Sequence, residues 1–130
     1  MKILIVDDES LARERIREML EKEKGAEFIA EEAANGGEAI EKINARQPDI
    51  VFLDIQMPDM DGFQVLETLG RKTLAQIPAI VFVTAFDQHA LRAFEFHALD
   101  YLLKPFDRER FAETLIALFA CLNCYSVLPF

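Results

Sequence analysis

The chain is short of positive charge. Fourteen lysines and arginines stand against 23 acids, so the formal net charge is −9 and the sequence pI is near 4.7. Phosphate contacts need a basic footprint, so direct nucleic-acid binding by this chain is not expected. Cysteine is scarce as well: both residues fall in Cys121-Leu122-Asn123-Cys124. A C-x-x-C pair can be a redox couple or half of a zinc site. Here it ends a helical pattern with no second Cys or His pair, and reads better as two small apolar residues in a tail. No apolar run reaches the length of a membrane helix. Met1-Lys2 leads straight into a strand-like run ending in acids, unlike a signal peptide. A cytoplasmic protein with no membrane partner is the expectation. Repeats and low-complexity linkers are also missing, so 130 residues point to one domain with a real core.

What is present is a regular alternation. Ile3-Leu4-Ile5-Val6 is a β-rich run ending at Asp7-Asp8-Glu9. Helical spacing over residues 10–24 puts Ala12, Ile16, Met19 and Leu20 on one face, with Asp8, Glu9 or Ser10 to cap it and Gly25 to end it. Glu27 to Ala33 is a weaker strand whose Glu31 and Glu32 suit a sheet edge. After the Asn35-Gly36-Gly37 turn, a second helix turns Ala39, Ile40 and Ile43 inward up to Gln47-Pro48. Ile50-Val51-Phe52-Leu53 reads as a buried strand running into Asp54. A third helix starts near Asp61 or Gly62 and buries Phe63, Leu66 and Leu69. Ala79 to Thr84 is a fourth strand, Asp87 a cap for a fourth helix reaching His97, and Leu99 to Leu103 a fifth strand ending in Lys104-Pro105. A fifth helix from Asp107 aligns Phe111, Leu115, Leu118 and Leu122. Five βα units with wholly apolar central strands predict an α/β fold: a doubly wound, five-stranded parallel sheet with helices on both faces. The favoured strand order is the flavodoxin-like 2-1-3-4-5, which makes the first and third strands neighbours at the switch point.

That sheet brings Asp7, Asp8, Asp54, Thr84 and Lys104 to one rim, at the carboxyl ends of strands one, three, four and five. Clustered carboxylates repel, which raises the cost of ionising all of them. A hard cation relieves the repulsion, and a small set of oxygen donors suits Mg²⁺. Such a rim suits phosphoryl transfer to an aspartate, with Asp54 the nucleophile and Lys104 a second positive charge. The Thr84 hydroxyl can bond a phosphoryl oxygen, and Ala85 is small enough to leave the space open. Taken singly, an acid pair is more often a helix cap, a threonine at a strand end structural, and Lys-Pro a turn. Four separated segments with matching chemistry at one end of one sheet carry the weight.

In this order the motifs Ile-Val-Asp7-Asp8-Glu9, Asp54-Ile-Gln-Met57-Pro58-Asp-Met-Asp61-Gly62, Val-Thr84-Ala85 and Lys104-Pro105-Phe106 resemble the receiver domain of two-component response regulators. Ala90 to Glu95 with Ala98 to Phe106 look like the LytTR-type regulators, which usually carry a DNA-binding domain after the receiver. The resemblance covers residues 1 to about 119 and implies a receiver over residues 1–120, while the apolar tail over 121–130 departs from the family pattern. It implies a phosphorylation-activated signalling switch rather than an enzyme, in which Asp54 takes a phosphoryl group from a sensor histidine kinase. It further implies that Asp8 and Asp54 ligate Mg²⁺ directly, with the Gln56 backbone carbonyl, and that Asp7 acts largely through water. Thr84, Ala85 and Lys104 would surround the phosphoryl group. Lys104-Pro105 would be a cis peptide, and Thr84 and Tyr101 would reshape the surface of helix four, strand five and helix five. Output is expected through a transcriptional effector domain outside this chain, with a phosphorelay shuttle or protein-interaction switch as the alternative.

Other readings follow from single positions. Gln56 and Phe86 occupy the places that tune phosphoryl lifetime in this family, and a bulky Phe86 would slow self-dephosphorylation. His89 and His97 read as polar surface. Leu11 and Arg15 share the helix-one face where receivers meet their kinase. After Glu113 no charged residue occurs, so Ile116, Phe119 and Ala120 add apolar surface suited to a homodimer through helices four and five. An aspartate-nucleophile phosphatase would need an acid where Gln56 stands, and a receiver-like module that ignores phosphate typically loses the acid pair, acceptor or lysine, all kept here.

Overall fold

Five parallel strands form the centre of the computed structural model, which describes residues 1–23, 27–70 and 78–127, the last five as helix backbone only. They are β1 (Lys2–Val6), β2 (Ile29–Ala33), β3 (Ile50–Leu53), β4 (Ala79–Thr84) and β5 (Asp100–Leu103), in the order β2-β1-β3-β4-β5. The helices are α1 (Ser10–Glu21), α2 (Gly36–Arg46), α3 (Gly62–Gly70), α4 (Ala90–Glu95) and α5 (Arg108–Val127). Side chains alternate across a strand, so each central strand feeds two cores. Leu4, Val6, Val51, Leu53, Ile80 and Phe82 face α2 and α3, joining Ala39, Ile43, Phe63, Val65 and Leu69. Ile3, Ile5, Ile50, Phe52, Val81 and Val83 face α1 and α5, joining Ile16, Leu20, Phe111, Leu115 and Leu118. That two-sided burial is why the central strands are apolar over residues 3–6, 50–53 and 79–83. Each fully buried large apolar side chain contributes about 1.5–3 kcal/mol.

Local capping explains most helix starts. Asn35 accepts the Glu38 N–H at 2.8 Å for α2, and Asp107 accepts the Arg110 N–H at 2.8 Å for α5. Asp61 and Gln64 bond each other's backbone N–H reciprocally, both at 2.8 Å, a capping box at α3. Gly62 is required there: its N–H donates to the Ile55 carbonyl, and an added Cβ would sit 2.6 Å from the Asp54 carbonyl oxygen.

Several boundaries differ from expectation. No side chain of Asp8, Glu9 or Ser10 caps α1; Glu9 is the N-cap residue, and its N–H goes back to the Asp7 carboxylate at 3.0 Å. Helix α1 ends at Glu21, and Gly25 lies outside the described residues. Strand β2 begins at Ile29 because β1 begins at Lys2, its register partner. Asp87 does not cap α4 through its side chain; His89 is the N-cap residue, and the helix stops at Glu95 before a left-handed His97 with φ 58°. Val65, absent from the expected α3 face, is fully buried, and Leu66 is half-buried. Helix α5 continues unbroken past residue 120 to Val127. Phe119 is packed rather than exposed, stacked on Phe28 at 6.1 Å between ring centroids. Cys121 is a free, half-buried thiol; the Cys124 side chain lies outside the described residues. Among the described residues no helix is long and apolar enough to cross a membrane.

Candidate functional site

The strand register builds the site. Val6 pairs with Leu53, so Asp7 and Asp54 leave adjacent strands side by side, and the Asp54 N–H donates to the Val6 carbonyl at 2.9 Å. Thr84 pairs with Leu103, and the Lys104 N–H donates to the Thr84 carbonyl at 2.7 Å. Carboxylate oxygens of Asp7, Asp8 and Asp54 lie within 4.8 Å of one another. Lys104 Nζ reaches Asp7 Oδ2 at 2.6 Å and Asp54 Oδ2 at 3.6 Å. Asp7 and Asp54 are buried and Asp8 is exposed. The carboxylates of Asp7, Asp8 and Asp54 and the Lys104 ammonium therefore gather at the rim, with Thr84 joined to Lys104 through the backbone. The Lys104-Pro105 bond is cis, as the resemblance implied.

The acid pair is braced by residues that sequence reasoning passed over. Arg13 Nη1 donates to the Asp7 carbonyl at 2.6 Å, while its Nε donates to Glu32 Oε1 at 2.9 Å. Arg17 bonds the other Glu32 oxygen at 3.0 Å. Burial opposes the charge of Glu32, but Arg13 and Arg17 together hold its carboxyl below the usual range. Two arginines four apart on α1 and an acid on an edge strand are visible in the sequence, but only the fold sets them opposite one another.

The remaining predicted positions flank this cluster. Thr84 is fully buried, and its Oγ1 accepts the Phe86 N–H at 3.4 Å. Ala85 is exposed beside it and lines, with Lys104, Pro105 and Phe106, an apolar groove against Ala12, Arg15 and Ile16. Gln56 is exposed in the loop after Asp54. Phe86 is 37% exposed, and its carbonyl accepts the Tyr101 hydroxyl. Tyr101 is half-buried against Phe82. Burial raises its phenol above the ordinary value, so the hydroxyl stays a donor. Its backbone is fixed by Asp100, which takes two bonds from Arg110 at 2.9 and 3.0 Å and one from the buried Thr114 at 2.7 Å. Leu11 is 76% exposed on α1, whereas Arg15 is committed to the Phe106 carbonyl at 2.6 Å. His97 is exposed, and His89 meets the Phe63 ring edge-on.

The electrostatics follow from crowding. Burial, then the charge of Asp7, pushes the Asp54 carboxyl up to about 7, with Lys104 and the N–H groups of Gln56 and Ile55 pulling the other way. Burial works against the Lys104 ammonium, but its bond to Asp7 and the Asp54 charge outweigh it and hold the amine above its usual value. Two buried carboxylates thus share one ammonium, with the Asp8 carboxylate beside them. An oxygen-only donor set of this kind fits a hard divalent cation.

A doubly wound sheet with acids, a hydroxyl and a lysine at its carboxyl rim defines the receiver class, and the comparisons agree. The response regulator receiver domain model matches residues 3–116, and the chain belongs to that family. The chain is 51% identical over 115 residues to the sensory transduction protein LytT of Bacillus anthracis, covering 88% of this chain and 46% of that one. It is 48% identical over 118 residues to the transcriptional regulatory protein BtsR of Escherichia coli K12, covering 91% and 48%. The response regulatory domain of protein mrkE from Klebsiella pneumoniae superposes with a TM-score of 0.82 at 32% identity, covering 93% and 97%. The chain spans about half the length of the curated relatives it matches. Receiver domains are signalling domains rather than enzymes, and they generally bind Mg²⁺ at an acidic pocket such as the Asp7-Asp8-Asp54 cluster.

Asp54 has a pH signature. A carboxyl whose value rises from 3.8 to about 7 on folding binds more protons folded than unfolded. Its ionisation therefore costs stability: nothing below about pH 4, progressively more towards pH 7, and the full amount above. In EDTA, Asp54→Asn is expected to be more stable than the wild type at about pH 8, by roughly 2–4 kcal/mol. That gap should shrink towards zero near pH 4. Urea denaturation across this range checks it, and a gap that does not change with pH contradicts it.

Proposed function

We propose that this chain is a phosphorylation-activated receiver in which Asp54 is the phosphoacceptor. The observation that carries the reading is Lys104 Nζ, 2.6 Å from Asp7 and 3.6 Å from Asp54, at the end of the strand next to Thr84. An Asp54 oxygen attacks phosphorus, and a new O–P bond forms as the bond to the donor's leaving group breaks. The leaving group departs with the electron pair. The donor is the phosphohistidine of a sensor histidine kinase. Lys104 and the Thr84 hydroxyl hold phosphoryl oxygens, and Ala85 leaves room for them. Asp8, Asp54 and the Gln56 backbone carbonyl would hold Mg²⁺. Asp7 would act through water, both its oxygens already accepting protein donors, Glu9 N–H and Lys104. When bound, Mg²⁺ supplies positive charge against the transferring oxygens. The chain's own catalysis is limited to this transfer and its hydrolysis.

The switch runs from Thr84 to Tyr101. A phosphoryl group drawing the Thr84 hydroxyl towards Asp54 disturbs its bond from the Phe86 N–H, and the Phe86 carbonyl is the acceptor for Tyr101. The charge change at Asp54 thereby biases the α4-β5-α5 surface. We take residues 1–120 as the receiver and 121–130 as an appended stretch of α5 outside the switch. The names of the relatives and their length support a LytTR-type regulator acting on transcription, and a cytoplasmic location is consistent with the receiver family. DNA contact would belong to another domain, since this chain lacks a basic footprint. Exposed Leu91 and Phe94 on α4, Leu103 on β5 and Ile116 on α5 support a homodimer on that surface.

With acetyl phosphate and Mg²⁺, intact mass is expected to show one phosphoryl adduct, absent without Mg²⁺ and absent in Asp54→Asn. An adduct on Asp54→Asn would refute the assignment. Light scattering of the phosphorylated chain is expected to report dimers, and a strict monomer in both states would remove the α4-β5-α5 surface from self-association.

A further inference from the structure

A helix starts with N–H groups that have no acceptor of their own. In α2 the Asn35 side chain takes Glu38 N–H at 2.8 Å, and the Asn35 carbonyl takes Ala39 N–H at 3.0 Å. The first two N–H groups go elsewhere. Gly36 donates to Asp59 Oδ1 and Gly37 to Asp59 Oδ2, each at 3.0 Å. Asp59 belongs to the loop between β3 and α3, so one exposed carboxylate joins two segments more than twenty residues apart. The partial positive charge of the helix start favours an anion there. The Gly36 and Gly37 bonds hold its carboxyl below the usual range. Next to it, Met60 fills the space a Cβ at Gly36 would need. The same loop is tied at its far end, where Gly62 N–H donates to the Ile55 carbonyl at 2.8 Å. Between the two ties lies Gln56, whose N–H, with that of Ile55, serves the Asp54 carboxylate.

We propose that Asp59 is a positioning residue of the Asp54 site: its carboxylate, clamped across the N–H groups of Gly36 and Gly37, fixes the loop that presents the Gln56 carbonyl and orients Asp54. This rests on the phosphoacceptor reading above. The clamp needs two acceptor oxygens. Asp59→Ala has none and Asp59→Asn has one, so the effect is graded.

Mg²⁺ binding by calorimetry and the rate of adduct formation with acetyl phosphate form the test. Asp59→Ala is expected to weaken Mg²⁺ binding roughly tenfold, the size usual for a partner that orients a metal ligand. Asp59→Asn should fall between it and the wild type, and the labelling rate should recover at saturating Mg²⁺. Asn35→Ala is the control: it removes a cap from the same helix end without touching the loop, so it loses thermal stability but keeps Mg²⁺ affinity within about twofold, well short of that loss. Wild-type Mg²⁺ affinity in Asp59→Ala overturns the clamp while leaving the phosphoacceptor reading intact. Equal weakening in Asn35→Ala also overturns the clamp, because the effect would then belong to α2 as a whole. A wild type that neither binds Mg²⁺ nor takes the adduct overturns the phosphoacceptor reading and the clamp with it.

Discussion

The structure turns on the repulsion between two buried carboxylates, Asp7 and Asp54, that share a single ammonium. Lys104 meets Asp7 at 2.6 Å and Asp54 only at 3.6 Å, so Asp54 is the under-compensated partner. Burial and the neighbouring charge raise its carboxyl to about 7. A buried carboxylate that is costly to ionise invites a cation, and a nucleophile beside a cation and a lysine is suited to phosphoryl transfer. The same imbalance makes the site sensitive to a new charge on Asp54, which is what a switch needs.

The scaffold exists to hold that imbalance in place. A parallel sheet with α-helical crossovers delivers every strand's carboxyl end to the same rim, and the register sets which residue emerges where. Bracing comes from each neighbouring element in turn. Arg13 on α1 holds the Asp7 carbonyl, Gly62 lets α3 close on the Asp54 backbone, and Asp59 ties the intervening loop to α2. On the far side, Asp100, Arg110 and Thr114 anchor β5 to α5. The Tyr101 hydroxyl and the Thr84 hydroxyl both touch Phe86 backbone groups, so the route from the site to the surface is short.

The sheet order and the rim residues were legible because each rests on a local signal, while the cis Lys104-Pro105 bond was expected only from the resemblance. Apolar runs ending in chemistry-bearing residues report strands and their carboxyl ends, and the apolar spacing of α2 and α5 reports their inward faces. What was not legible depended on tertiary partners. Arg13, Glu32 and Asp59 look like ordinary surface charge until the fold brings their acceptors and donors within reach. The extent of β2 follows from where β1 begins, and Phe119 is covered only because Phe28 lies opposite. Helix α1 begins at Ser10, where its spacing placed it, but Glu9, its N-cap residue, makes no capping bond through its side chain.

The most direct test of the central claim is to trap the modified residue chemically. Borohydride reduces an aspartyl phosphate to homoserine and leaves free carboxylates unchanged. After treatment with acetyl phosphate and Mg²⁺, reduction and peptide sequencing by mass spectrometry should find homoserine at position 54 alone. Homoserine at Asp7 or Asp8, with Asp54 unmodified, would contradict the account.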